Sequence, residues 1–167
     1  MKPDTMHRPD DAARTLAHAL MKDAATAALA AIHPETQAPC VSRIAFAATP
    51  DGAGLSLISG IALHCQALRA DPRASLLIGE VSARGDPLNQ PRLTVHARAR
   101  FYDRPPAKLS GLRAFWLSRH PKSKLYIDFA DFVFVRFEIV GANLYAGFAK
   151  AYALEPNDFK VDNVTVI

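Results

Sequence analysis

The run RLTVHARARF, Arg92 to Phe101, decides the fold. Arg92, Thr94, His96, Arg98 and Arg100 alternate without exception with Leu93, Val95, Ala97, Ala99 and Phe101. Successive side chains of an extended chain point to opposite faces, so this pattern gives a strand with one apolar side and one polar, mostly cationic side. A helix would scatter the same polar residues all around its axis.

Downstream, PPAKLSGLRAFWLSRHP places Leu109, Leu112, Phe115 and Trp116 three and four residues apart, between Pro105-Pro106 and His120-Pro121. That spacing predicts an amphipathic helix. FVFVRFEIVGANLYAGFAKAYAL follows, rich in aromatic and branched residues, and predicts two strands with Gly141 and Gly147 as bends. Upstream, LISGIALHCQALRADPRASLLIGE, Leu57 to Glu80, gives a strand, a break at Gly60, a short helix from about Ala62 to Ala70, a stop at Asp71-Pro72, and a further strand. TPDGAG, with Asp51-Gly52 at its centre, joins LSLIS to PCVSRIAFAA as a hairpin. Pro9, Asp10 and Asp11 open a helix to about Lys22. AATAALAAI after it fits a helix by alanine propensity and a buried strand of small residues equally well. The segment from about residue 155 has few core anchors and is expected to be loose.

About six or seven strands, often consecutive and joined by tight turns, favour an antiparallel barrel flanked by helices over a doubly wound sheet, which needs regular strand-helix alternation. A chain of 167 residues, half of them hydrophobic and 22% charged, fits a single globular domain. The two cysteines, Cys40 and Cys65, form no CxxC or Cys/His ladder, so neither a structural metal site nor a disulfide framework is expected, and a reducing cytoplasm suits them. Asp4, Asp10 and Asp11 interrupt any secretory signal, and no apolar run is long enough to span a bilayer. A formal charge of +4 makes an anionic ligand plausible while giving little reason to expect nucleic acid.

The nucleotide and hydrolase signatures GxGxxG, the phosphate loop, HExxH and Gly-x-Ser-x-Gly are all missing. One turn concentrates donors: Ser59 at a strand end, with His64 and Gln66 in the first turn of the helix that follows, where unpaired backbone N–H groups favour an anion. Side chains that merely cap a helix look the same, and Cys65 beside them suits packing better than nucleophilic work. Arg43, alone among apolar strand neighbours, is a second candidate for phosphate. The face Arg92, His96, Arg98 and Arg100 is either solvated barrel exterior or a site.

Taken in order, PCVSRIAFAATPDGAGLSLISGIALHCQALRADPRASLLIGE, GDPLNQPRLTVHARA and RHPKSKLYIDFADFVFVRFEI resemble the pyridoxamine 5'-phosphate oxidase-like flavin-binding split barrels, and within them the branch related to haem-utilisation proteins. The resemblance covers about Leu16 to Ala149 and is most specific in DPRASLL and GDPLNQPRLT. It is to the barrel, without the extra C-terminal domain of longer haem-linked relatives. It implies a mainly β (α+β) fold, a six-stranded antiparallel split β-barrel flanked by short helices, homodimeric, with FMN in a cleft between the protomers. It also implies that AATAALAAI is the first barrel strand. Flavin contacts would come from Ser42, Arg43 and Ile44, and the phosphate would be held by Ser59, His64, Cys65 and Gln66. Relatives usually carry threonine, a basic residue and asparagine where this chain has Cys65, Gln66 and Ala67, and a glycine at Ala97.

The resemblance therefore implies an FMN-binding oxidoreductase in which the cofactor carries the chemistry, the partner is a small-molecule redox substrate, and no general base is identified. The alternative, from the haem-linked branch, is a haem-binding or haem-handling protein whose iron is ligated by His96 or His120.

Overall fold

The structure, a computed structural model, describes residues 6–102 and 105–161. Its strands are β1 Thr26–Ile32, β2 Pro39–Ala45, β3 Ala47–Ala48, β4 Gly54–Ser59, β5 Arg73–Ile78, β6 Arg92–Phe101, β7 Phe132–Tyr145 and β8 Ala151–Leu154. Three α-helices accompany them: α1 Asp11–Asp23, α2 Leu63–Ala70 and α3 Ser110–Arg119. The strands pair antiparallel in the order β2-β1-β5-β6-β7-β4-β3, with β8 on β7.

The two ends of that order are halves of one bent strand. Residues 39–48 are interrupted only at Phe46, whose N–H turns aside to the Ala25 carbonyl at 2.9 Å. The first half pairs with β1 and the second with β4, so the sheet curls round on itself. This is the mainly antiparallel split-barrel α+β architecture expected from the sequence.

Alternation fills the barrel. Leu93, Val95 and Ala97 of β6 point inward with Leu76 and Ile78 of β5, Leu29 of β1 and Phe137 of β7, all in one buried cluster. The AATAALAAI ambiguity resolves as β1 because Ala27, Leu29 and Ala31 alternate into this interior, and tertiary burial outweighs alanine's helical preference. Ala13, Ala17 and Met21 bury one face of α1 against the same cluster, and Asp10 caps that helix by accepting from the Ala13 N–H at 2.7 Å. Helix α2 adds Cys65, Ala67 and Leu68.

A second cluster lies outside the barrel, where α3 lays Leu112 and Trp116 over Leu55, Leu57 and Phe134. Strand β4 is therefore buried on both sides from Gly54 to Ile58, including Ser56, whose hydroxyl donates to the Ala45 carbonyl at 2.7 Å. Among the described residues, the outward positions of β2, β1, β5 and β6 are half-buried or exposed.

Two details differ from expectation. Gly141 does not divide two strands: β7 runs through it, and the turn comes at Gly147, whose φ of +127° suits glycine. The segment from about residue 155 holds a short 3₁₀ turn, Pro156–Phe159, anchored by buried Phe159 and by Asp158, which accepts from Arg14 Nε at 2.8 Å. The remaining tail residues lie outside the described part.

Candidate functional site

Strand register assembles the open face. One row across the sheet runs Val41, Ala30, Ser75, His96, Gly141, and the next runs Arg43, Ala28, Leu77, Thr94, Asn143. Small residues at the centre keep this surface shallow, and it exposes apolar side chains: Val41 is 70% exposed, Val140 53% and Leu77 46%. Val140 reaches the surface because the β6–β7 register shifts between His96 and Ala97, leaving it as the extra residue of a bulge. A cleft of about 450 Å³ opens here, lined by Ala30, Ile32, Ser75, His96, Arg98 and Val140, with Arg73 and Pro39 at its edge.

His96 is the chemical centre of that cleft. Its Nδ1 lies 3.1 Å from Ser75 Oγ and its Nε2 lies 3.3 Å from Asn143 Nδ2. With the amide nitrogen donating to Nε2, Nδ1 carries the proton and donates to Ser75, so the nitrogen with the longer contact holds the lone pair.

Ion pairs sort the cationic strand face. Arg73 is tied to Asp71 at 2.5 Å, and its hydrogen bond holds that carboxyl down at about 2. Arg100 meets Glu138 at 3.3 Å, while Arg92 stacks over the Tyr145 ring at 4.7 Å and donates to the Leu88 carbonyl. Among the described residues, Arg98 and Arg43 have no ion pair, and both lie on this outward face.

The residues expected to hold a flavin divide between environments. Arg43 points outward, whereas alternation turns Ser42 and Ile44 toward the barrel side that β1 fills with Leu29 and Ala27. At the end of β4, the Ser59 hydroxyl donates to Asp131 at 2.5 Å, and the Gly60 N–H donates to the Asp131 carbonyl at 2.6 Å. Gln66 Nε2 donates to the Ile61 carbonyl at 3.3 Å. Cys65 is wholly buried, and burial pushes its thiol up against the smaller opposing pull of Arg69. Burial lowers His64 below its ordinary range, so at neutral pH this ring offers an N–H but no positive charge. The turn thus gathers donors as the sequence suggested, and also brings in the Asp131 carboxylate, which the sequence did not flag.

His120, the other histidine considered for iron, stacks on Trp116 at 4.2 Å and bonds through Nε2 to the Phe46 carbonyl at 2.8 Å. It fastens α3 to the bend between β2 and β3. Ser75 and Asn143 escaped sequence reasoning; their only signal was position, since both fall on the same outward alternation as His96. No group of three or more His, Cys, Asp or Glu among the described residues could hold a metal ion, and none of the described helices is long and apolar enough to cross a membrane.

A family model described as pyridoxamine 5'-phosphate oxidase matches residues 14–144, most of the chain. The chain belongs to the pyridoxamine 5'-phosphate oxidase family. Its relatives include haem proteins. The non-canonical, chloroplastic haem oxygenase HOZ of Arabidopsis thaliana is 32% identical over 116 residues, which are 68% of this chain and 34% of that protein, so the chain spans about a third of its relative's length. A solved structure of a heme binding protein from Mycobacterium smegmatis is 25% identical, with a TM-score of 0.75 over 92% of this chain and 61% of its own. Another solved chain is 40% identical, with a TM-score of 0.82 over 93% of this chain and all of its own.

Proposed function

We propose that this protein binds haem in the cleft on the open sheet face, with His96 Nε2 as iron ligand. The carrying observation is the His96 arrangement: one ring nitrogen donates to Ser75, the other holds only a 3.3 Å contact, and an apolar floor surrounds both. A ligating histidine needs its second nitrogen fixed in this way. Haem also needs a flat apolar surface and cations for its carboxylates, and Ala28, Ala30, Leu77 and Val140 supply the first while Arg98 and Arg43 supply the second. When bound, haem would supply an iron centre that the His96 imidazole would hold. The similarity to the mycobacterial heme binding protein and to the plant haem oxygenase supports the same reading.

A self-association belongs to this reading. The exposed Val41, Leu77 and Val140 surround a cleft open to one side, and a second copy laid against this face would cover them and enclose the ligand.

The flavin reading has one observation in its favour beyond the family: Arg43 is exposed on β2 and has no ion pair among the described residues. Against a dianionic phosphate at the neighbouring turn stand the Asp131 carboxylate on Ser59 and the uncharged His64.

Adding haem to the purified protein tests the choice. A saturable, red-shifted absorbance band that is lost in His96→Ala supports haem ligation by His96; a yellow protein whose flavin is released by Arg43→Ala supports FMN instead.

A further inference from the structure

A second cleft, of about 320 Å³, lies on a different part of the molecule, between the end of α1, the β3–β4 turn, α3 and the Pro156–Phe159 turn. It shares no lining residue with the His96 cleft. Its walls are apolar, from Met21, Ala48, Phe115, Phe159 and Val161, and its polar groups are Lys22, Arg119, His18 and Thr49. Among the described residues no carboxylate lines it. The described acids that neighbour its lining residues in sequence are engaged elsewhere: Asp51 with Arg136 and Thr49, and Asp158 with Arg14, while Asp23 lines a separate hollow with Leu20 and Glu80.

The cations retain capacity for a ligand. Arg119 donates one N–H to the Lys22 carbonyl at the end of α1, leaving most of its five donors unused. The Lys22 ammonium itself makes no hydrogen bond or ion pair among the described residues, since Arg119 meets only the backbone carbonyl. His18 donates through Nε2 to the Asp158 carbonyl at 2.7 Å and lies face to face with Phe159, so the ring is fixed with Nδ1 left over.

We propose that this cleft binds a small monocarboxylate with an apolar body, its carboxylate between Lys22 and Arg119 and its tail against Met21, Phe115 and Phe159. Size selects the class, since 320 Å³ sits at the bottom of the range of about 300–1,000 Å³ for ligand pockets, too small for haem or a dinucleotide. Charge selects the head group, since two cations with no acid among the described lining residues favour one anion, and the bidentate fork of arginine suits a carboxylate.

Octanoate is the probe. Titrated into the full chain, it should bind saturably and shift the ring resonances of His18. Octan-1-ol should bind at least about tenfold more weakly, and exposed Lys22→Glu should weaken octanoate by about tenfold while the chain stays folded, its unfolding midpoint lowered only slightly by the lost cation in the last turn of α1. Ala48→Leu, which fills the cleft, should weaken octanoate and octanol alike. The proposal is overturned if octanoate fails to bind in the millimolar range, if octanol binds as well as the acid, if Lys22→Glu binds like the parent, or if the shifts fall on His96 rather than His18.

Discussion

Ser75 and Asn143 hold His96 from opposite sides, and they should act oppositely on ligand binding. Ser75→Ala removes the acceptor that fixes Nδ1–H, and loss of such a support lowers metal affinity by about 10- to 100-fold. Asn143→Ala frees Nε2, so haem affinity should hold or rise; equal losses in both variants, measured by haem titration, would show that neither nitrogen is selected. A second pair acts on stability. Asp51 and Arg136 form an ion pair with both side chains about nine-tenths hidden. Burial pushes the Asp51 carboxyl up, but hydrogen bonds from Arg136 and Thr49 outweigh it and leave it below its ordinary value of 3.8. A carboxyl depressed in the folded state stabilises above its unfolded value, and that contribution fades as pH falls through the folded value. Asp51→Asn should therefore cost roughly 2–3 kcal/mol at neutral pH, somewhat less than a fully buried pair. Chemical denaturation should find that the gap between parent and variant shrinks below pH 3.8; a gap independent of pH would contradict the account. At this scale the sequence revealed which residues carry charge but not their direction. Arg43 stood out as a cation in an apolar strand, yet whether it or its neighbours Ser42 and Ile44 faced the barrel depended on pairing with β1. Asp131 became visible only when folding carried it 72 positions back to Ser59.

Among the elements, the hairpin between β3 and β4 is the most strictly specified. Gly52 holds a φ of +91°, and a Cβ there would fall on the Phe159 carbonyl oxygen, so the turn and the C-terminal 3₁₀ turn fit only around a glycine. Gly52→Ala should cost at least about 1–3 kcal/mol from backbone strain, with a lowered thermal midpoint as its measure. Because Phe159 also lines the smaller cleft, octanoate binding should weaken in the same variant; a midpoint matching the parent would show that the turn relaxes freely. The Asp51-Gly52 signal was legible because local turn chemistry fixes it. Strand β1 was not, since alanine-rich segments contain no periodicity strong enough to choose between helix and strand, and only the barrel interior decides. The turn at Pro156–Phe159 within the tail left no trace in the sequence for a related reason: a single aromatic, Phe159, anchors it, and one residue makes no pattern.

For the whole molecule, the alternation in β6 predicts both sides of the barrel wall at once: an apolar lining that packs, and a polar exterior that was left open between solvent and site. The structure adds that the outward positions of β2, β1, β5 and β6 are half-buried or exposed among the described residues. If a second copy covers it, the protein should run at twice its chain mass in solution, and Leu77→Glu, placing a charge at the centre of the face, should give monomers with an unchanged fold by circular dichroism. A parent protein that is monomeric at all accessible concentrations would remove the self-association from the proposal while leaving the cleft.

The most direct measurement is a haem titration followed by absorbance on the parent and on His96→Ala, side by side. The account predicts one saturable site per chain in the parent, with the band of an imidazole-ligated iron, and loss of that band in the variant. Identical bands and affinities in both proteins would contradict it.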